Sequence, residues 1–157
     1  MLQVELDGTD LRILSALQEE GRLTNQAVSE QVGLSPSPCL RRVRRLEREG
    51  VIRRYVALVD PDALGLGVTA FVRVRLAVQN DLHLERFEQA VALFPEVMDC
   101  HLMSGESDYQ LRVLVRSLSE FEEFMRGKLT RIAEISEITT SFALRTVIAR
   151  TALPLAG

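Results

Sequence analysis

Apolar residues recur at three- and four-residue spacing over the first fifty residues, and this pattern predicts amphipathic helices. The first predicted helix runs from its N-cap Asp7 to Glu20. Its apolar side is formed by Leu11, Leu14 and Leu17. A second, shorter helix is predicted from its cap Thr24 to Val32, and Gly33 ends it.

The third predicted helix is capped by Ser35 and starts with Pro36, and the chain leaves it at Gly50 in a left-handed turn. At helical spacing its apolar side carries Cys39, Leu40, Val43 and Leu46. The opposite side carries Ser37, Arg41, Arg44, Arg45 and Arg48. Because only Gly33 and Leu34 separate it from the second helix, the two helices must cross steeply. This predicts a helix-turn-helix whose third helix is the recognition helix.

Alternation of apolar and polar residues replaces the helical spacing after Gly50. Residues 51–59 are predicted as a strand or small wing, and a domain boundary is placed near residue 60, giving domains 1–60 and 61–157. In the second half, strands are predicted at residues 68–78, 97–103, 109–116 and 138–144. Helices are predicted from Asn80 or Asp81 to Phe94, and from residue 120 to 132 after a capping box of Ser119 and Glu122.

The order β-α-β-β-α-β predicts an α+β fold, a ferredoxin-like sandwich with both helices on one face of a four-stranded sheet. The other face is then bare, and an apolar face of that size is rarely left in water. We therefore expect a homodimer through this face. The mostly apolar tail, residues 146–157, is expected to pack on a neighbour or to return toward the linker.

Charge is distributed unevenly along the chain. Between Arg41 and Arg54, seven arginines stand against two acids, Glu47 and Glu49, a local net charge of +5 in a chain of net charge −3. Such segregation favours a polyanion as partner, and a solvated helix surface is the alternative. A DNA duplex is therefore the expected partner. The candidate DNA-binding residues are Ser35, Ser37, Pro38, Arg41, Arg42, Arg44, Arg45, Arg48, Arg53 and Arg54.

Other chemistries find little support in the sequence. Cys39 and Cys100 have no metal or redox spacing and are interpreted as small buried hydrophobes. Cys100 and His101 are adjacent on a strand and point to opposite faces, so they cannot form a nucleophile and base pair. We expect no enzyme, no metal, no cofactor and no membrane partner. The chain has no apolar run long enough for a bilayer, which predicts a cytoplasmic protein.

Two stretches resemble a known family. LDGTDLRILSALQEEGRLTNQAVSEQVGLSPSPCLRRVRRLEREGVIRRYVALVDPDALGL resembles the N-terminal domain of the Lrp/AsnC, or feast/famine, transcriptional regulators, and VMDCHLMSGESDYQLRVLV resembles the core of their effector-sensing domain. The resemblance implies dimers that assemble further, often into octamers, with a small effector, commonly an amino acid, between dimers. It places this site at the turn 104–108, with contributions from the last strand and a neighbouring subunit.

The candidate effector-binding residues are Met103, Ser104, Gly105, Glu106, Ser107, Asp108 and Phe142. An ammonium group suits Asp108 or Glu106, and a carboxylate suits the backbone N–H groups beside Gly105. The residues alone equally describe a structural hairpin turn. The predicted function is a DNA-binding transcriptional regulator that responds to an amino acid. The alternatives are an amino-acid-binding or assembly module that does not bind DNA, and a DNA-organising regulator without a ligand.

Overall fold

The computed structural model describes residues 4–155. The chain divides into two compact units, one comprising the chain up to Leu58 together with the tail from Val147, and the other comprising Val59–Thr146. The break after Leu58 lies beside the predicted boundary. The tail, which the sequence pattern assigns to the second domain, belongs to the first unit; Ala156 and Gly157 lie outside the described residues.

The first unit is built from three helices, α1 (Gly8–Glu19), α2 (Asn25–Val32) and α3 (Pro36–Arg48). Asp7 and Thr24 cap α1 and α2 with their side chains, as predicted, and Gly33 ends α2 in a left-handed conformation. The apolar sides of the helices meet in one core. It consists of Ile13, Leu14, Val28, Val32, Cys39 and Leu46.

Two local predictions around α3 are wrong. Ser35 occupies the N-cap position, but its side chain makes no capping hydrogen bond. Among the described residues, the segment 51–59 forms no strand and is largely exposed. It lacks a neighbouring strand to pair with, and alternation alone does not supply one. Gly50 has the expected left-handed conformation, with φ of 73°.

The tail is held to α1 by one side chain. Gln18 accepts a hydrogen bond from the Leu153 backbone N–H at 2.6 Å and donates one to the Leu153 carbonyl at 3.3 Å. Leu155 packs against the core of the helical unit. The tail is therefore part of this unit through both polar and apolar contacts.

The second unit contains a four-stranded antiparallel sheet with strand order β2-β3-β1-β4. The strands are β1 (Val68–Leu76), β2 (Val97–Leu102), β3 (Tyr109–Val115) and β4 (Ile135–Phe142). The helices are α4 (Asp81–Val91) and α5 (Leu118–Gly127), with single 3-10 turns at Asp62–Leu64 and Leu129–Arg131. The predicted α+β fold and its element order are confirmed.

Alternation along β1 and β3 places one face of the sheet in a core with both helices. This core includes Ala70, Val72, Val74, Phe87, Tyr109, Leu111, Val113 and Phe124. Val78, the last residue of the predicted strand 68–78, lies beyond the end of β1 and is exposed. β4 begins and ends earlier in the chain than its predicted bounds, 138–144.

The cap of α5 differs from the prediction. Ser117, and not Ser119, accepts the hydrogen bond from the Glu120 backbone N–H, and the Glu120 carboxylate accepts one from the Arg116 N–H. The sequence Ser117-Leu118-Ser119-Glu120 satisfies the same Ser-x-x-Glu spacing as the predicted box. Of two equivalent local signals, packing selects the earlier one because it buries Phe121 and Phe124.

The sheet face opposite the helices is polar, so the prediction of a large apolar face is wrong. Its side chains include Thr69, Phe71, Arg73, Arg75, Gln110, Arg112, Leu114, Glu137 and Thr139. Arg112 also pairs with Asp99 on β2 at 2.5 Å. Phe71 is an exposed apolar side chain on this face. Other exposed apolar side chains include Val56 and Leu58 of the segment 51–59 and Leu102 and Met103 at the end of β2.

Cys39 is buried as predicted, but Cys100 is exposed. Cys100 lies on β2, an edge strand that has β3 as its neighbour. No helix within the described residues is both long enough and apolar enough to cross a membrane.

Candidate functional site

The outward side of α3 carries a stripe of polar and basic side chains. At about 100° per residue, Ser37, Arg41, Arg44 and Arg48 fall within about 60° of one another. All four are exposed, and the Arg48 side chain keeps 72% of its surface open. Cys39 and Leu46 on the opposite side are fully buried. The stripe is therefore held outward by the core, and we call these four residues the outward stripe.

Arg42 and Arg45 lie beside this stripe and face α1. Arg42 Nη1 lies 2.9 Å from Asp10 Oδ1, and Arg45 Nη2 lies 2.5 Å from Asp10 Oδ2. The Asp10 side chain is 1% exposed, whereas each arginine is 33% exposed. A buried carboxylate is stable only when paired and hydrogen-bonded, and these two cations supply that pairing.

Asp7 joins the same cluster at the start of α1. Its carboxylate caps the helix through the backbone N–H groups of Thr9 and Asp10, and it lies 2.7 Å from Arg42 Nη1. The hydrogen bond from the Asp10 N–H and the one from Arg42 lower the pKa of Asp7 from 3.8 to about 2. The cluster of Asp7, Asp10, Arg42 and Arg45, hereafter the α1–α3 clamp, has no net formal charge.

The remaining predicted DNA-binding residues are distributed around α3. Ser35 is exposed at its start and Pro38 is partly buried in its first turn, while Arg53 and Arg54 are exposed in the segment that follows the helix. Nearby, Tyr55 donates a hydrogen bond to Glu47 at 3.0 Å. Partial burial and this carboxylate raise the pKa of Tyr55 to about 12.

The turn between β2 and β3 is organised by Asp108. Its Oδ2 accepts a hydrogen bond from the Leu76 backbone N–H at 2.7 Å, and its Oδ1 accepts one from Gln79 at 2.6 Å. Its own backbone bonds to Val74 and Met103. Both carboxylate oxygens are thus occupied within the chain, and Gly105 provides the turn's positive φ of 124°.

A small pocket of about 80 Å³ opens on the polar sheet face beside this turn. It is lined by Arg73, Arg75, Glu106, Ser107, Glu137 and Thr139. Arg75 spans it, because its Nε donates to the Glu106 carbonyl at 2.8 Å while its Nη1 lies 3.5 Å from Glu137 Oε2. Two arginines and two glutamates therefore offer partners for both an ammonium and a carboxylate group.

The predicted effector residues do not all come together at this pocket. Ser104 and Gly105 lie in the turn, Met103 is exposed beside it, and Phe142 lies at the opposite end of the sheet. Phe142 is paired with Ala70, on the helix-covered side, and its ring meets that of Phe121 edge to face at 5.0 Å. Within one chain, Phe142 contacts the α5 core and not the turn.

Sequence reasoning missed two groups of residues. Arg73, Arg75, Glu137 and Thr139 reach the pocket from β1 and β4, and only the pairing of these strands brings them to the turn. The charged residues that alternate with Val72 and Val74 were the available signal. Asp10 was also missed, although an acid three residues after Asp7 has the spacing of a capping box.

A larger groove, of about 450 Å³, lies between α4 and the edge strand β2. Its lining includes Val91, Met98, Cys100 and Leu102, and Tyr109 at its base donates to Glu88 at 2.7 Å. Burial and the Glu88 carboxylate raise the pKa of Tyr109. Within residues 4–155, no group of three or more His, Cys, Asp and Glu side chains is arranged to hold a metal ion.

An exposed basic stripe on a helix-turn-helix and a charged pocket in an α+β sandwich are the features expected of a ligand-responsive DNA-binding regulator. Residues 6–53 match the family model described as winged helix-turn-helix DNA-binding, and residues 69–153 match the model described as Lrp/AsnC ligand binding domain. The chain belongs to the Lrp/AsnC family of transcriptional regulators.

Curated relatives and solved structures agree with this assignment. The Bkd operon transcriptional regulator of Pseudomonas aeruginosa is 44% identical, over 96% of this chain and 99% of its own. The leucine-responsive regulatory protein of Rhizobium meliloti is 42% identical, over 94% of each chain. A transcriptional regulator of Neisseria meningitidis, solved as a complex with L-Met, superposes with a TM-score of 0.91 at 41% identity, over 96% of this chain and 97% of its own.

Proposed function

We propose that this regulator binds double-stranded DNA through the outward stripe of α3, with Arg53 and Arg54 contacting phosphates. The observation that carries the proposal is the exposure of three arginines on one side of a helix whose other side packs into the core through the buried Cys39 and Leu46. Arginine binds both phosphates and the guanine edge in the major groove. The first turn of α3 carries Ser37, whose hydroxyl suits either partner.

The effector is an amino acid that binds in the pocket beside the 104–108 turn. Both charges of a zwitterion find partners there, its carboxylate at Arg73 or Arg75 and its ammonium at Glu106 or Glu137. The names of relatives support an amino acid, since one is described as leucine-responsive and another was solved with L-Met. Asp108, whose oxygens are already bonded, holds the turn in place instead of binding the ammonium.

The regulator acts as a homodimer that assembles further, with each pocket completed by another subunit. The pocket volume of about 80 Å³ is small against the roughly 300–1,000 Å³ of sites that enclose a ligand. The exposed Leu102 and Met103 beside the turn offer apolar surface for a neighbouring subunit. Effector binding would then favour one assembly, and the assembly sets the spacing of the paired DNA-reading helices.

DNA binding is tested by a mobility shift with duplexes from the regulator's own promoter region. Arg41→Gln combined with Arg44→Gln should weaken retention strongly, whereas the control Arg126→Gln, an exposed residue of α5, should not. Equal retention of all three proteins would show that the outward stripe is not the DNA-binding surface. Absence of sequence-selective retention of the parent would favour an assembly module that does not bind DNA.

Effector binding is tested by thermal unfolding in the presence of each common amino acid up to millimolar concentration. A ligand at about a hundred times its Kd stabilises the folded state by about 2.7 kcal/mol, which gives a measurable rise in Tm. Arg75→Gln should abolish the rise. If none of the amino acids shifts the Tm of the parent, the regulator organises DNA without this ligand. Light scattering with and without the active amino acid measures the assembly.

A further inference from the structure

The α1–α3 clamp joins helices that are far apart in sequence, and its hydrogen bonds are short. Asp10 Oδ1 accepts from Arg42, while its Oδ2 accepts from Arg45 at 2.5 Å and from the Asp7 backbone N–H at 3.1 Å. Asp10 therefore serves the α1 cap and α3 simultaneously. Hydrogen bonds between charged groups at such distances are about twice as strong as neutral ones, so the arginines are firmly engaged.

We propose that Asp10 is a positioning residue for DNA recognition: it orients α3 on α1 and withholds Arg42 and Arg45 from the phosphates. This inference rests on the proposed DNA-binding function of the outward stripe. The basic residues of α3 then have two different roles. Arg41, Arg44 and Arg48 contact DNA, whereas Arg42 and Arg45 neutralise a buried acid on a neighbouring helix.

The burial of Asp10 explains why both arginines are held. Its side chain is 1% exposed, and a carboxylate removed from water requires charge compensation and hydrogen bonds at both oxygens. Releasing either arginine toward a phosphate would leave one oxygen of Asp10 without its cationic partner. Arg41 and Arg44 do not pair with this buried acid, because they are exposed in the outward stripe.

The salt dependence of DNA affinity separates the two groups of arginines. Each phosphate contact contributes about −0.9 to the slope of log K against log salt concentration. Arg41→Gln and Arg44→Gln should each reduce the steepness of this slope by about one contact per bound subunit, which is about two contacts for the proposed dimer. Arg42→Gln and Arg45→Gln should leave the slope at the parent value, although they lower the affinity at any one salt concentration by loosening α3.

Asp10→Asn supplies a readout that loss of stability alone would not change. With the acid neutralised, Arg45 loses its charged partner on α1 and becomes free to reach a phosphate, whereas Arg42 keeps its ion pair with Asp7. The slope should therefore steepen by about one contact per bound subunit. Adding Arg45→Gln to Asp10→Asn should return the slope to the parent value. A partly unfolded protein would bind less DNA without steepening the slope.

The outcomes distinguish the clamp from the DNA-binding proposal. A slope for Arg45→Gln as shallow as that of Arg41→Gln, or a parent-like slope for Asp10→Asn, would overturn the clamp while DNA binding stands. If Arg41→Gln and Arg44→Gln leave the slope unchanged, the proposed DNA surface itself is wrong. If Asp10→Asn fails to fold, the slopes of Arg42→Gln and Arg45→Gln still show whether these two arginines contact phosphates.

Discussion

Asp108 accepts the backbone N–H of Leu76 at 2.7 Å, and this bond ties the β2–β3 turn to the end of β1. The pairing of β1 with β4 shifts register between Arg75 and Leu76, so the Leu76 N–H lies at an irregular point of the sheet. A side-chain carboxylate satisfies it there. The position of the proposed effector pocket thus depends on Asp108, whose carboxylate holds the turn.

Replacing Asp108 with Ala should lower the free energy of unfolding of the second unit by about 1–3 kcal/mol. The change leaves the Leu76 N–H without its acceptor and removes the partner of Gln79. Urea unfolding followed by circular dichroism measures the effect. Glu106→Ala, which changes an exposed side chain in the same turn, is the control and should stay within about 0.5 kcal/mol of the parent. Equal losses would contradict the assigned role of Asp108.

Gly105→Ala should destabilise the turn through the backbone alone. The residue has φ of 124°, and an added Cβ would meet no atom within 4 Å. The loss in free energy of unfolding therefore comes from backbone strain alone and is on the order of 1–3 kcal/mol. Gly127→Ala is a matched control, because that site is equally open and has no such φ. The amino-acid-induced rise in Tm should shrink in the first variant and persist in the second. If the rise in Tm persists in both variants, amino-acid binding does not depend on the conformation of the turn.

Two serines near the start of α5 give opposite expectations. Ser117→Ala removes the side chain that accepts the Glu120 N–H at 3.1 Å and should cost about 1 kcal/mol. Ser119→Ala changes an exposed residue inside the first turn and should be nearly neutral. Chemical denaturation of both variants decides which serine is the cap. If Ser119→Ala were less stable than Ser117→Ala, Ser119 would be the cap and Glu122 its capping-box partner.

The Asp7 carboxylate should make the stability of the helical unit depend on pH in the acidic range. Its folded-state pKa of about 2 lies below its ordinary 3.8, so the carboxylate stabilises the fold above 3.8, and this contribution is lost as the pH falls toward 2. Asp7→Ala should therefore have a flatter profile of Tm against pH than the parent between about pH 5 and about pH 2. Asp81→Asn, at the start of α4 in the other unit, serves as the control. Parallel profiles for Asp7→Ala and the parent would argue against both the cap hydrogen bond from the Asp10 N–H and the ion pair with Arg42.

Features that depend on neighbours along the chain could be predicted from the amino-acid sequence. Helical spacing and the caps Asp7 and Thr24 define α1 and α2, and alternation with a glycine-containing turn defines the β2–β3 hairpin. These signals are local because capping and side-chain periodicity act over a few residues. They were sufficient for the α+β fold and for the basic side of α3.

The side-chain contacts between those elements depend on tertiary packing and could not be predicted in this way. Asp10 meets Arg42 and Arg45, more than thirty residues away, and so changes which arginines of α3 remain available. The pairing of β1 with β4 brings Arg75 to Glu137 beside the turn, while Phe142 turns to the helix-covered side. Residue spacing carries no information about such contacts, because they arise from the packing of whole elements around a common core.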